Sequence, residues 1–284
     1  MVAFEELPEG CIAAILSCTT PADAGRFSVV SKTFRCAADS DAVWNHFLRY
    51  DSQFIDFIIS HSPPSIANTP TKKALFLTLS DRPIIIDNAQ KSLQLDRKSG
   101  KKCYMLAARS LAIAWGDDDR YCNWIAVPDS RFPKVAKLLH VRWLEIHGKI
   151  NTNALSPNTQ YAAYLVFKMI AAFGFENHPL DLLVRVEGSH RSTKIVCLDT
   201  TLVRRNKELI CLRLSGASMS HSKVVGLRRP SVRRDGWLEI EMGEFFNLCL
   251  GGVEVHISVI EIDGDLPKGN FFLEGIEVRP KEDN

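Results

Sequence analysis

One change of period divides this sequence. Up to about residue 80, apolar residues recur three or four positions apart, and from Cys103 onward they alternate. A helix-period segment does not settle into a sheet, nor an alternating one into a helical bundle, so the chain is predicted to build a helical part and a separate strand-built part.

In residues 1–49, Ile12, Ile15 and Leu16 fall on one helical face behind Pro8, a residue suited to the first helical position. Thr20-Pro21-Ala22-Asp23 offers an N-cap, a proline in the first turn and an acid at N3, a variant of the capping box. Trp44, Phe47 and Leu48 repeat the i, i+3, i+4 spacing. Several short helices in so few residues cannot bury all their apolar side chains internally, so this segment is expected to dock onto something else. Residues 51–80 read as one or two further helices around the breaker His61-Ser-Pro-Pro-Ser, and 81–102 as a connecting arm. The predicted domains are a helical one over 1–49, a helical and extended linker over 50–102, and a strand-rich one over 103–281.

The alternation is clearest late in the chain. Leu238, Ile240 and Met242 face one way against Trp237, Glu239 and Glu241, and Val253, Val255, Ile257 and Val259 alternate with Glu254, His256 and Ser258. Leu182, Val184 and Val186, and Leu144 and Ile146, do the same. Several such strands separated by Gly, Asp and Asn imply a sandwich or a barrel. The segment 161–170 suits a helix equally by its Ala, Leu and Met content, and its neighbours favour a strand.

Composition narrows the function classes. A net charge of +2 on 284 residues predicts neither nucleic-acid nor membrane affinity. The longest apolar stretch, Tyr161 to Phe175, is short of a membrane span and carries Lys168. The eight cysteines form no Cys-x-x-Cys pair, no His stands at zinc-ligand spacing, and neither a secretory signal nor an Asn-x-Ser/Thr site occurs. These features predict a reduced protein of the cytoplasm or nucleus, its cysteines acting as small core hydrophobes. No cofactor is expected, and no metal: Asp117-Asp118-Asp119 lacks the alternating ligand spacing of a calcium loop, because contiguous acids cannot all face one ion. Nucleophile-elbow, phosphate-loop and zinc-protease motifs are missing, so no enzyme activity is expected. Charge is polarised: residues 193–234 hold ten basic and two acidic residues, and 235–284 hold three basic and twelve acidic. Pairing between neighbouring strands explains this most simply. The other reading is an anion patch of Arg204, Arg205, Arg228, Arg229, Arg233 and Arg234.

The ordered set Leu7-Pro8, Ile12, Ile15-Leu16, Pro21-Ala22-Asp23, Val30-Ser31-Lys32 and Trp44 resembles the F-box. Residues from about 100 to 280 resemble the plant phloem-lectin, or Nictaba-like, domain. The matching pieces are Lys102-Cys-Tyr-Met-Leu-Ala-Ala-Arg-Ser-Leu, Ile113-Ala-Trp-Gly-Asp-Asp-Asp-Arg-Tyr121, Trp143-Leu-Glu-Ile-His-Gly-Lys149, Tyr161-Ala-Ala-Tyr-Leu-Val-Phe167, Asp235-Gly-Trp-Leu-Glu-Ile-Glu-Met-Gly-Glu-Phe-Phe246 and Gly275-Ile-Glu-Val-Arg-Pro280. The resemblance implies an α+β multidomain chain, a small helical F-box followed by an antiparallel jelly-roll-like β-sandwich, and it turns 161–170 into a strand.

It also implies the substrate-recognition subunit of a Skp–cullin–F-box ubiquitin ligase. Leu7, Pro8, Ile12, Ile15, Leu16, Val30 and Phe34 are the expected contact with a Skp-family adaptor, and the same side chains could form the bundle's own core. The target would be a protein or a glycoprotein bearing an N-glycan or chito-oligosaccharide. Sugar binding needs an aromatic plate for the C–H face and polar groups for the hydroxyls. Trp115, Tyr121 and Trp124 are the expected plate, and Glu239 and Glu244 the expected clamps, with Glu241 beside them on an outward strand face. The position after Tyr121, commonly Trp in such lectins, is Cys122 here, which removes one aromatic plate. The alternative is a carbohydrate-binding lectin that acts without the ubiquitin ligase.

Overall fold

The computed structural model describes residues 7–48, 56–58, 60, 69–175, 179–188, 191–198, 228–248, 251–262 and 266–281. Arg204 and Arg205 of the considered anion patch, and the breaker at 61–65, lie outside them. The chain divides into two compact units, one of residues 1–86 with 92–104 and one of residues 87–91 with 105–284.

Four short helices open the first unit: α1 (Glu9–Ser17), α2 (Pro21–Phe27), α3 (Lys32–Asp39) and α4 (Asp41–Leu48). Pro8 stands one residue ahead of α1 with ψ at 144°, so it precedes the helix rather than opening it. Its carbonyl accepts from the Cys11 and Ile12 amides, which gives two otherwise orphaned donors a partner. The predicted cap of α2 is present: Thr20 Oγ1 accepts from the Asp23 amide at 3.1 Å, with Pro21 in the first turn. Ser31 caps α3 in the same way, through the Phe34 amide at 3.2 Å. Trp44 is buried, and its Nε1–H donates to the Ala38 carbonyl at 2.6 Å. Its ring packs on Phe47 in α4 and on Phe76 in α5 (Lys72–Asp81).

Most of the expected connecting arm, all but residues 87–91, falls within this unit. It contains β1 (Ile84–Ile86) and β2 (Lys91–Leu95), and Leu93 and Leu95 are buried. A tight turn follows, in which the Asp96 carboxylate accepts from the Ser99 amide and Gly100 adopts φ +74°. Only a residue without Cβ takes that conformation freely, and Gly100 packs against Pro21 and Phe76. Two isolated leucines among charged residues give too short a pattern for their alternation to register in the sequence.

The second unit is a sandwich of two antiparallel sheets. Its first sheet runs in the order β3 (Lys102–Ala107), β14 (Gly269–Pro280), β8 (Thr159–Phe173), β12 (Leu238–Asn247), β11 (Ser231–Val232). Strands β5 (Cys122–Ile125) and β6 (Val135–Leu138) join it through β14. The second sheet runs β10 (Arg191–Cys197), β9 (Pro179–Val186), β13 (Glu254–Glu261), β7 (Leu144–Asn151), β4 (Ala112–Ile113). Alternation places the core: Tyr161, Ala163, Leu165 and Phe167 of β8 and Val255, Ile257 and Val259 of β13 are all buried. The ambiguous segment 161–170 is therefore a strand. Trp237 precedes β12 and is fully buried, unlike Glu239 and Glu241, with which it shares parity. Its Nε1–H donates to the Asp129 carbonyl at 2.9 Å and the Lys168 ammonium lies 4.6 Å from its ring centre.

Candidate functional site

The first unit leaves an apolar edge uncovered. Val29 is 75% exposed, Val30 58%, and Ile15 and Phe27 42% each. Ile15 sits on α1, Phe27 ends α2, and Val29 and Val30 stand in the turn between α2 and α3. The predicted adaptor-contact residues divide accordingly. Pro8, Ile15 and Val30 are exposed and Leu7 is half-buried, whereas Ile12, Leu16 and Phe34 belong to the core of the bundle. Phe27 and Val29 were missed in the sequence because neither belongs to the apolar spacing read along residues 1–49.

In the second unit the Trp115 loop leaves the end of β4. The Gly116 amide bonds the Ile113 carbonyl at 2.9 Å, and the Asp118 amide bonds the Trp115 carbonyl at 3.2 Å. This double turn forces Trp115 to φ +66°. A left-handed conformation is unfavourable for a bulky aromatic residue by about 1–2 kcal/mol. The strain holds the indole up beside its neighbours, with the Tyr121 ring centre 5.1 Å away and the Trp143 ring centre 5.0 Å away. Trp115 nevertheless remains 38% exposed. The loop is braced below. Asp118 pairs with Arg120 at 2.7 Å, and the Arg120 guanidinium bonded to it holds its carboxyl below the usual carboxylate range. Trp124 Nε1–H donates to the Gly116 carbonyl at 3.0 Å, and the Arg109 guanidinium covers its ring at 3.6 Å.

The sequence-predicted plate is thus partly assembled. Trp115 and Tyr121 share one aromatic group, while Trp124 is covered by Arg109. The third ring is Trp143, which the sequence reading left out. Its signal was the motif it opens: in Trp143-Leu-Glu-Ile-His it has the same parity as outward-facing Glu145 and His147. Cys122 is fully buried, and burial pushes its thiol up to about 11. Position 122 is therefore an interior position, not a missing part of the surface plate.

Glu239 and Glu244 lie on β12, in the other sheet, and no described contact joins them to the aromatic group. Both are occupied by cations. Glu239 pairs with Arg233 at 3.0 Å and with Arg279 at 2.8 Å; Glu244 pairs with Lys281, whose ammonium draws its carboxyl below the ordinary range. The pairs belong to a larger cluster. Glu277 is held by Arg131, Arg233 and Arg279, and Glu241 by Lys194 and Arg228. Part of the late polarisation of charge is therefore paired between segments: Lys194, Arg228 and Arg233 of the basic stretch meet Glu241, Glu239 and Glu277 of the acidic one. Among the described residues, no cluster of three or more His, Cys, Asp or Glu could hold a metal ion, and no helix is long and apolar enough to cross a membrane.

A short helical unit with an open apolar edge, joined to an antiparallel sandwich with a surface aromatic group, defines a two-part binding protein. The family model for Phloem protein 2 matches residues 101–280, and the model for the F-box domain matches residues 4–46. The chain belongs to the phloem protein 2 family, among the members that begin with an F-box. It is similar to F-box protein PP2-B10 of Arabidopsis thaliana, at 39% identity over 98% of this chain and 94% of that one. Putative F-box protein PP2-B12 is 41% identical over 98% of each chain, and F-box protein VBF is 39% identical over 97% of this chain and 99% of that one, both from Arabidopsis thaliana. A family 35 carbohydrate binding module from Clostridium thermocellum covers 62% of this chain and 96% of its own, at 10% identity and a TM-score of 0.30. A likeness at that level carries no inference about this chain.

Proposed function

We propose that the chain is a substrate receptor of a Skp–cullin–F-box ubiquitin ligase in the cytoplasm or nucleus. The F-box unit would bind a Skp-family adaptor and through it a cullin scaffold, while the sandwich holds the target. The receptor needs no reactive side chain of its own. It raises the local concentration of the target near a charged ubiquitin carrier.

The observation that carries this reading is the uncovered edge of Ile15, Phe27, Val29 and Val30. Isolated exposed apolar residues are ordinary, but four of them on one small helical unit form a patch of the kind used for docking. Val29→Asp and Val30→Asp place a charge where a partner would exclude water. Neither side chain is part of the core, so the melting temperature stays within the usual range for surface changes while adaptor capture falls tenfold or more. Undiminished adaptor binding by both variants would remove the ligase reading.

The target side is read as a glycan-binding surface centred on Trp115, Tyr121 and Trp143. Strain kept at a half-exposed indole supports it, because such conformations persist where function maintains them. This same feature favours the second reading, a lectin that works without the ligase. Glycan binding with no adaptor binding would select that reading. Adaptor binding with no glycan binding would leave a receptor of unmodified protein targets.

A further inference from the structure

We infer that a polar clamp adjoins the aromatic group: the Glu145 carboxylate, oriented by His147 and Ser258, receives two adjacent hydroxyls of a pyranose whose C–H face packs on Trp115 and Trp143. The inference rests on the glycan-binding reading above and names the residues that would give it specificity.

Strand β7 sets up the clamp. Leu144, Ile146 and Ile150 are buried in the sandwich, so Glu145 and His147 stand on the opposite face of their sheet. Trp143 has the same parity and lies one step ahead of Glu145, a separation of about 7 Å along the strand. On the neighbouring edge strand, Ala112 is paired with His147, and the Ala114 amide donates to the Glu145 carbonyl at 2.9 Å. The residues that the edge segment sets against His147 and Glu145 are thus both alanines, which offer less bulk than larger side chains would. A ring lying along this face would meet the aromatic group at one end and the carboxylate beside it.

The hydrogen bonds define which group is free to act. His147 Nε2 lies 2.9 Å from Glu145 Oε1, and Nδ1 lies 2.8 Å from Ser258 Oγ on the paired strand β13. With Glu145 ionised, Nε2–H donates to the carboxylate and Nδ1 accepts from the serine hydroxyl. Both imidazole nitrogens are then used within the protein, which makes His147 a positioning residue. Glu145 is different. Its side chain is 42% exposed, and Oε2 has no partner among the described residues. An ionised carboxylate with open lone pairs accepts charge-assisted hydrogen bonds from two hydroxyls at once, a geometry that suits adjacent hydroxyls on one ring. The long-range partners of Glu239 and Glu244 leave those carboxylates without this freedom.

The test is titration calorimetry on the full chain with chitotriose, preceded by a glycan array to find any better ligand. Glu145→Gln and Glu145→Ala are expected to weaken binding tenfold or more, as is Trp115→Ala. His147→Ala weakens it several-fold, and His147→Gln, which keeps an N–H near the Nε2 position, restores most of the loss. A change that merely loosened the sheet would not be rescued in that way. Glu254→Gln, on the same sheet face but paired with Lys149, leaves affinity unchanged. If Trp115→Ala abolishes binding while both Glu145 variants bind normally, the clamp is wrong and the glycan reading stands. If the unaltered chain binds no glycan on the array or in the calorimeter, the glycan reading fails and the clamp with it. Melting temperatures of all variants accompany the titrations, and a Glu145 variant that melts early is replaced in the comparison by the His147 pair.

Discussion

Replacing Glu277 by glutamine removes one charge from the most buried part of the ion-pair cluster, and the structure sets the size of the effect. The Glu277 side chain is 6% exposed on β14 and lies 3.2 Å from Arg131, 2.6 Å from Arg233 and 2.7 Å from Arg279. Burial pushes its carboxyl up, but the three guanidinium charges outweigh burial and hold it at about 2, against an ordinary 4.5. That difference corresponds to about 3 kcal/mol favouring the charged form in the folded state. It agrees with the roughly 3–5 kcal/mol typical when one partner of a buried pair is deleted. Arg233 and Arg279 keep Glu239, which places the expected loss at the lower end. Because the folded value lies below the unfolded one, the contribution is complete above about pH 4.5 and disappears as pH falls toward 2. Urea unfolding followed by tryptophan fluorescence reports mainly on the second unit, which carries Trp115, Trp124, Trp143 and Trp237. Glu277→Gln should lose about 3 kcal/mol at about pH 7, and the gap to the unaltered protein should narrow steadily below about pH 4.5. A gap under about 1 kcal/mol at neutral pH, or one that widens on acidification, would falsify the reasoning.

Other changes test separate parts of the fold. Gly275→Ala drives a methyl group into the Leu106 carbonyl, where β14 bulges in its pairing with β8. It should destabilise the second unit by about 3 kcal/mol, visible as a lower midpoint in the same urea titration. Trp115→Gly should be more stable than Trp115→Ala by about 1 kcal/mol, since both lose the ring and only glycine accepts φ +66° freely; equal midpoints would show that the left-handed turn carries no strain. Ser31→Ala removes the cap of α3 and should cost about 1 kcal/mol in thermal unfolding of the first unit.

Local signals in the sequence carried much of the fold. The capping residues of α2, the buried face of α1 and the alternation in β12 and β13 all depend on residues within a few positions of each other, so spacing alone exposes them. The hairpin of β1 and β2 was obscured for the opposite reason. Leu93 and Leu95 are buried, yet the charged residues around them make the stretch look solvated. Trp237 illustrates the same limit at one residue: parity gives it the face of Glu239, and its burial there comes from Lys168 and the Asp129 carbonyl, both distant in sequence.

The candidate sugar site was legible only up to the reach of its loop. Trp115 and Tyr121 are six residues apart, and their proximity follows from the turn between them. Trp143 reaches the same group because β4 pairs with β7, and no spacing rule in one sequence specifies that pairing. The acidic partners show the converse. Glu239 and Glu244 look free when read along an outward strand face, yet Arg279 and Lys281, forty and thirty-seven residues later, neutralise them across the sheet. Glu145 looks like an ordinary strand residue, yet its pairing is with His147 rather than with an arginine or lysine. An acid's freedom to bind a hydroxyl depends on which cations the topology brings to it, and that is why the proposed clamp falls on the carboxylate that meets an imidazole rather than on those that meet arginines and lysines.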